Sequence, residues 1–87
     1  MKVFVVIDDV MGGDVFSSVH RTRPEDRQGA KVREVTVVGA QTDSEFVYIA
    51  QTYDGTMDVH RFKGAYGDYE TAKLASGPQG VQPRFEI

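Results

Sequence analysis

The fold is decided by the stretch FVYIAQTYDGTMDVHRF, residues 46–62. Its first eight residues carry β-branched and aromatic side chains on both alternating faces, which predicts an interior strand covered on both sides. Asp54 and Gly55 follow directly, and this dipeptide tolerates the positive φ of a type I′ turn. The stretch therefore predicts a tight hairpin in which residues 57–62 return antiparallel to the first strand.

The sequence before this hairpin has the same character. Residues 3–10, VFVVIDDV, are apolar on both faces, and the glycines at 12 and 13 offer a reversal into residues 15–20. After a polar connection, residues 32–38 resume the composition of a strand. We therefore expect a second hairpin and a further strand on the N-terminal side.

One short helix is expected at residues 68–76. Asp68 is a suitable N-cap, Glu70 lies where the helix dipole favours an acid, and a Gly-Pro pair ends the segment. The helix is expected to lay a face of apolar side chains on the sheet, namely Tyr69, Ala72, Leu74 and Ala75.

These elements predict an α+β fold in a single domain, residues 1–87. We expect an antiparallel sheet of about five or six strands, with the helix at 68–76 on one face. Residues 81–87 should form an edge strand, because Pro83 cannot donate a ladder hydrogen bond. Two strands that are apolar on both faces, with only one small helix to cover them, favour a homodimer.

Composition excludes several classes of protein. The chain has 87 residues, no cysteine, and a net charge of -3 from thirteen acids and ten bases. The lack of cysteine excludes a disulfide scaffold and thiol catalysis, and the mild acidity disfavours direct nucleic-acid binding. No apolar run approaches the ~20 residues of a membrane span, so we expect a cytoplasmic protein without a membrane partner.

Basic side chains are concentrated between the first hairpin and the next strand. Half of the ten lysines and arginines lie here, at Arg21, Arg23, Arg27, Lys31 and Arg33. Such a cluster can bind an acidic partner, or it can be a solvated connector whose charge is partly neutralised by nearby acids. We take these five residues as candidate partner-binding residues.

Tyrosines form a second candidate surface. Tyr53, Tyr66 and Tyr69 are expected close together if the 46–62 hairpin carries the helix that follows it. Tyrosine is favoured at protein interfaces, although it is also common at the rim of a core. The three residues are therefore candidate partner-binding residues as well.

The two histidines support an alternative. His20 stands in a His-x-Thr sequence, whereas His60 lacks the hydroxyl two positions later. A small enzyme or sensor of phosphate or nucleotide ligands would need both histidines, with the basic loop, around one concave pocket. The sequence predicts no catalytic residue, metal ligand or cofactor site beyond this alternative.

Three parts of the chain carry a resemblance: the opening MKVFVV, the stretch FKGAYGDYETAKLAS at residues 62–76, and the closing strand. Together they resemble small accessory proteins of phages and other mobile elements, of which the anti-CRISPR proteins are one type. This resemblance implies a non-enzymatic protein that binds, and inhibits or modulates, a host protein or nucleoprotein complex.

Overall fold

Six strands and one helix follow one another in this computed structural model, which describes residues 1–40 and 44–87. In chain order they are β1 (Lys2–Val10), β2 (Gly13–His20), β3 (Ala30–Val38), β4 (Phe46–Asp54), β5 (Val59–Tyr66), α1 (Tyr69–Ser76) and β6 (Arg84–Glu86). The expected α+β class with one short helix is confirmed.

The strands form one mixed sheet in the order β2-β1-β3-β5-β4-β6. Every neighbouring pair is antiparallel except β3 and β5, which run parallel where Val37 and Val38 meet Ala65 and Tyr66. The expectation of a purely antiparallel sheet is therefore wrong. The parallel pair arises because β5 folds back into the position between β3 and β4. Since β3 and β4 run in opposite directions, a strand that is antiparallel to β4 runs parallel to β3.

The core lies where this sheet curls over itself into a half-barrel. Val5 and Ile7 of β1 are fully buried in the same cluster as Val47 and Ile49 of β4, although β1 and β4 are not neighbours in the sheet. Each such aliphatic side chain contributes roughly 1.5–3 kcal/mol by its removal from water. The inner face is thus covered by the sheet itself, which removes the sequence-based reason for expecting a dimer.

Helix α1 packs on the outer face of β4 and β5. The Asp68 carboxylate accepts the backbone N–H of Thr71 at 2.9 Å, as expected of the N-cap. Ala72 and Ser76 are the buried residues of the helix, whereas Leu74 is 85% exposed. The expectation that Leu74 faces the sheet is wrong. Leu74 lies midway in the chain between Ala72 and Ser76, and it therefore points to the opposite side of the helix from these two residues.

The two hairpin turns differ from those expected. Four residues, 55–58, connect β4 to β5, and the positive φ falls on Asp58 at 56° instead of on Gly55. The Asp54 carboxylate accepts backbone N–H groups within this turn, a side-chain contact that replaces the tight type I′ geometry. The two-residue reversal with positive φ lies instead between β1 and β2, at Met11 (53°) and Gly12 (80°).

Candidate functional site

The exposed loop at residues 21–29 carries two of the predicted basic residues in ion pairs. Arg27 donates to the Asp8 carboxylate at 2.7 Å, and Arg23 lies 3.7 Å from Asp26 within the loop itself. Ion pairs of this exposure contribute little to stability, but they neutralise the charge that a partner would meet. The loop is therefore less basic than its sequence suggests.

Two further basic residues lie on β3 and not in the loop. Lys31 and Arg33 both bind the Asp14 carboxylate of β2, at 3.2 and 2.8 Å, and so reach across β1. The hydrogen bonds from Arg33 and then from Lys31 hold the pKa of Asp14 below its usual range. These cations are thus used to join three strands.

Arg21, the first residue of the basic cluster, links distant parts of the chain. Its guanidinium donates to the backbone carbonyl of Ser44 at 2.6 Å and to that of Ile87 at 3.2 Å. The loop therefore starts beside β4 and β6. The five basic residues do not form one patch, and their use in partner binding stays a prediction.

The predicted tyrosines occupy two different faces. Tyr69 of α1 stacks edge-on against Tyr48 of β4 at 5.8 Å, and Tyr66 lies opposite Tyr48 in the β4–β5 register. Tyr53 lies instead beside His60, at 5.4 Å between ring centres. Residues 48 and 53 of one strand are an odd number apart, so their side chains point to opposite faces.

Tyr53 makes its own polar contacts near the β4–β5 turn. Its hydroxyl donates to the Asp58 carboxylate at 2.6 Å, and this bond, with partial burial, raises the pKa of Tyr53. A shallow cavity of about 330 Å³ is lined here by Tyr53, His60 and Gln79. Tyr53 is therefore separated from the tyrosines on the helix side.

The two histidines belong to different strands and different surroundings. His20 of β2 lies opposite Phe4 and shares a 2.8 Å hydrogen bond with Ser18. His60 lies on β5, opposite Tyr53, and the cavity beside it is not lined by His20. The enzyme or sensor alternative requires His20 and His60 to line one common pocket, and the two histidines do not do so.

A third surface, not anticipated from the sequence, joins an arginine to the aromatic side of β4. The Arg84 guanidinium of β6 lies 4.9 Å from the ring centre of Phe46, and Phe46 stacks edge-on against Tyr48 at 5.7 Å. A groove of about 640 Å³ opens at this point, and it is lined by Arg21, Glu45, Phe46, Arg84, Glu86 and Ile87. We refer to it as the Arg84 groove.

The β4–β6 register creates the Arg84 groove. Arg84 lies opposite Tyr48, which places it diagonal to Phe46 on one face of the sheet. Within residues 1–40 and 44–87, no carboxylate lies within 4.0 Å of the Arg84 guanidinium. The edge strand at 81–87 was the only sequence signal for this site, and it did not reveal the pairing.

No family model, curated protein or solved structure matches this chain. In the parts of the chain that the structure describes, no helix is long and apolar enough to cross a membrane. The same parts contain no group of three or more histidine or acidic side chains placed to hold a metal ion. The geometry of its surfaces is therefore the basis for assigning a function.

Proposed function

We propose that this protein is a non-enzymatic binding protein that engages a protein partner through the Arg84 groove. The observation that carries the proposal is Arg84, held over the ring of Phe46 in an open groove and within 4.0 Å of no carboxylate among the described residues. The partner is a host protein, free or within a nucleoprotein complex, in the cytoplasm, as for the phage accessory proteins that the sequence resembles.

The chemistry of the groove favours an acidic, partly apolar segment of the partner. A guanidinium that stacks on an aromatic ring keeps its in-plane N–H groups available for a carboxylate, which it can bind with two parallel hydrogen bonds. Phe46 and Tyr48 offer adjoining ring surface for an apolar neighbour of that carboxylate. Arginine and tyrosine are also enriched among the residues that dominate binding energy at protein interfaces.

The charges around the groove favour a protein over bare nucleic acid. Glu45 and Glu86 line the same groove as Arg84 and Arg21, so its overall charge is nearly balanced. The net charge of -3 adds a weak repulsion toward a phosphate backbone. One acidic side chain of a protein partner can pair with Arg84 alone, whereas a row of phosphates would also be repelled by Glu45 and Glu86.

The test compares two exposed arginines of the chain. The intact protein is used as bait with host extract, retained proteins are identified by mass spectrometry, and affinities are measured on the purified partner. Arg84→Glu is expected to weaken binding at least about tenfold, because it replaces the cation with a carboxylate that repels the partner's carboxylate. Arg23→Glu is the matched control and should bind as the unaltered protein does.

Salt and folding controls complete the experiment. Affinity should fall as ionic strength rises, and Phe46→Ala should also weaken binding. Melting temperatures should stay within a few degrees for both arginine variants, because exposed charges contribute little to stability. Unchanged affinity of Arg84→Glu contradicts the proposal, and a loss confined to Arg23→Glu would assign the interface to the basic loop.

A further inference from the structure

The outer edge of β6 lies beside the Arg84 groove. β6 is the last strand of the sheet, and its inner side pairs with β4. Backbone hydrogen bonds join Val81, Pro83 and Ile87 to β4 or to the residue before it. Because such bonds alternate along an antiparallel pair, the N–H and C=O groups of Arg84 and Glu86 point away from β4. Among residues 1–40 and 44–87, no further strand pairs with this edge.

The two edges of the sheet differ in how well they could accept another strand. On β2, at the opposite end, the register skips Ser17, and such a bulge disturbs further pairing. On β6, Pro83 lacks an N–H group, but this position faces β4 and not the outer edge. The outward-facing residues at 82, 84 and 86 therefore all retain their backbone donors.

The side chains at this edge form a charge pattern. Arg84 and Glu86 are both exposed, line the groove and lie on the same face of β6, because they are two residues apart. Within the described residues, neither has an opposite charge within 4.0 Å. Phe85 points to the other face, where its ring centre lies 5.1 Å from that of Phe16. The edge thus presents a base and an acid on one face and an apolar side chain on the other.

We propose that the partner binds to β6 as an added antiparallel strand, through a basic, an apolar and an acidic residue in that order. The inference rests on the proposed function and adds the way in which the partner binds. An antiparallel partner meets Glu86 first and Arg84 second, so its base lies opposite Glu86 and its acid opposite Arg84. The apolar residue between them lies opposite Phe85. Backbone hydrogen bonds supply affinity, and the alternating side chains supply specificity.

The first test adds synthetic peptides to the full chain. Three capped seven-residue peptides have two threonines at each end, and their central residues are lysine-valine-glutamate, glutamate-valine-lysine or threonine-valine-threonine. Nuclear magnetic resonance titration measures affinity, because a strand this short should bind with a dissociation constant of about 1 mM. The lysine-valine-glutamate peptide should bind at least about fivefold more tightly than the reversed one and about twofold more tightly than the neutral one.

Amide hydrogen exchange distinguishes strand addition from a contact made by side chains alone. With saturating lysine-valine-glutamate peptide, the amides of Arg84 and Glu86 should exchange at least about tenfold more slowly, because the added strand accepts their hydrogens. The amide of Ser17, at the opposite edge of the sheet, is the internal control and should exchange at an unchanged rate.

Two variants at one position separate the backbone donor from the charge. Glu86→Pro removes the outward N–H group together with the carboxylate, whereas the matched control Glu86→Gln removes only the charge. Glu86→Gln should weaken binding of the lysine-valine-glutamate peptide about twofold, and Glu86→Pro at least about tenfold. Both variants should keep their melting temperature within a few degrees, because the lost N–H group does not bond to β4.

Four results overturn the proposal. They are no binding of the lysine-valine-glutamate peptide, equal or greater affinity for the reversed peptide, unchanged exchange at Arg84 and Glu86, and a Glu86→Pro variant that binds as well as Glu86→Gln. The partner identified from host extract separates this failure from failure of the proposed function. If Arg84→Glu weakens its binding but both amides stay unprotected in the complex, the function stands and strand addition is overturned. If Arg84→Glu leaves its binding unchanged, the proposed function itself is overturned.

Discussion

At the scale of single residues, Arg61 joins the two hairpins. Its side chain is only 16% exposed, and it donates to the Asp54 carboxylate at 3.3 Å and to the backbone carbonyls of Val10 and Met11. A Cβ atom at Gly13 would lie 2.8 Å from the Arg61 guanidinium carbon, so glycine leaves room for this contact. One cation therefore holds the β1–β2 turn against the β4–β5 turn.

Replacing Arg61 should destabilise the fold. Arg61→Ala removes the side-chain donor to the carbonyls of Val10 and Met11 and one of the three donors to the Asp54 carboxylate, and we expect a loss of about 1–3 kcal/mol in the free energy of unfolding. Lys63→Ala, an exposed change on the same strand, is the control and should cost less than about 0.5 kcal/mol. Urea unfolding of both variants measures the difference, and equal midpoints would contradict the role assigned to Arg61.

At the scale of elements, the two hairpin turns reverse the chain direction by different means. The β1–β2 turn relies on backbone conformation, with positive φ at Met11 and Gly12. The β4–β5 turn relies on a side chain, because Asp54 accepts the N–H groups of Thr56 and Met57 and also binds Arg61. Partial burial raises the pKa of Asp54, but these hydrogen bonds outweigh it and lower the pKa overall.

Alanine at the two turn glycines should therefore have unequal effects. Gly12→Ala forces a side chain into φ of 80° and should cost about 1 kcal/mol, although nothing lies within 4 Å of the new Cβ. Gly55→Ala should cost less than about 0.5 kcal/mol, because Gly55 lacks positive φ and the new Cβ meets Tyr53 at an ordinary 3.4 Å. Thermal melting of the pair checks this, and the reverse order would show that the turns are misassigned.

At the scale of the whole molecule, the two hairpins act as halves of one curled sheet. Among residues 1–40 and 44–87, direct strand pairing between the halves consists of two residue pairs of β3 and β5, yet the buried cluster spans both halves. Phe16 of β2 also packs on Phe62 of β5, with ring centres 6.4 Å apart. Side-chain packing and Arg61, more than strand pairing, hold the halves together.

Hydrogen exchange should show whether the halves unfold as one unit. Val5 in β1 and Ile49 in β4 are fully buried residues of interior strands, so their backbone amides should both exchange only by global unfolding and with the same free energy. Ser17, skipped by the β1–β2 register, should exchange at least about a hundredfold faster. Clearly different free energies for Val5 and Ile49 would mean that the halves open separately.

The sequence by itself determined the features that depend on neighbouring residues. The apolar side chains on both faces of β1 and β4 predicted interior strands, and Asp68 with Gly77 predicted the helix ends that the structure has. Pro83 correctly predicted a strand at the edge, where β6 pairs only with β4. Each of these signals lies within one turn or one strand, so the chemistry of neighbouring residues is sufficient to predict the structure there.

Only the tertiary structure decided which elements meet and in what register. The parallel β3–β5 pair, the Asp14 bridge across β1 and the contact of the Arg84 guanidinium with the Phe46 ring all join residues far apart in the chain. Local sequence does not carry this information, because strand order depends on which apolar faces bury each other best and a one-residue change of register moves every side chain to the other face. The basic cluster was therefore visible in the sequence, whereas its neutralisation by Asp8 and Asp14 was not.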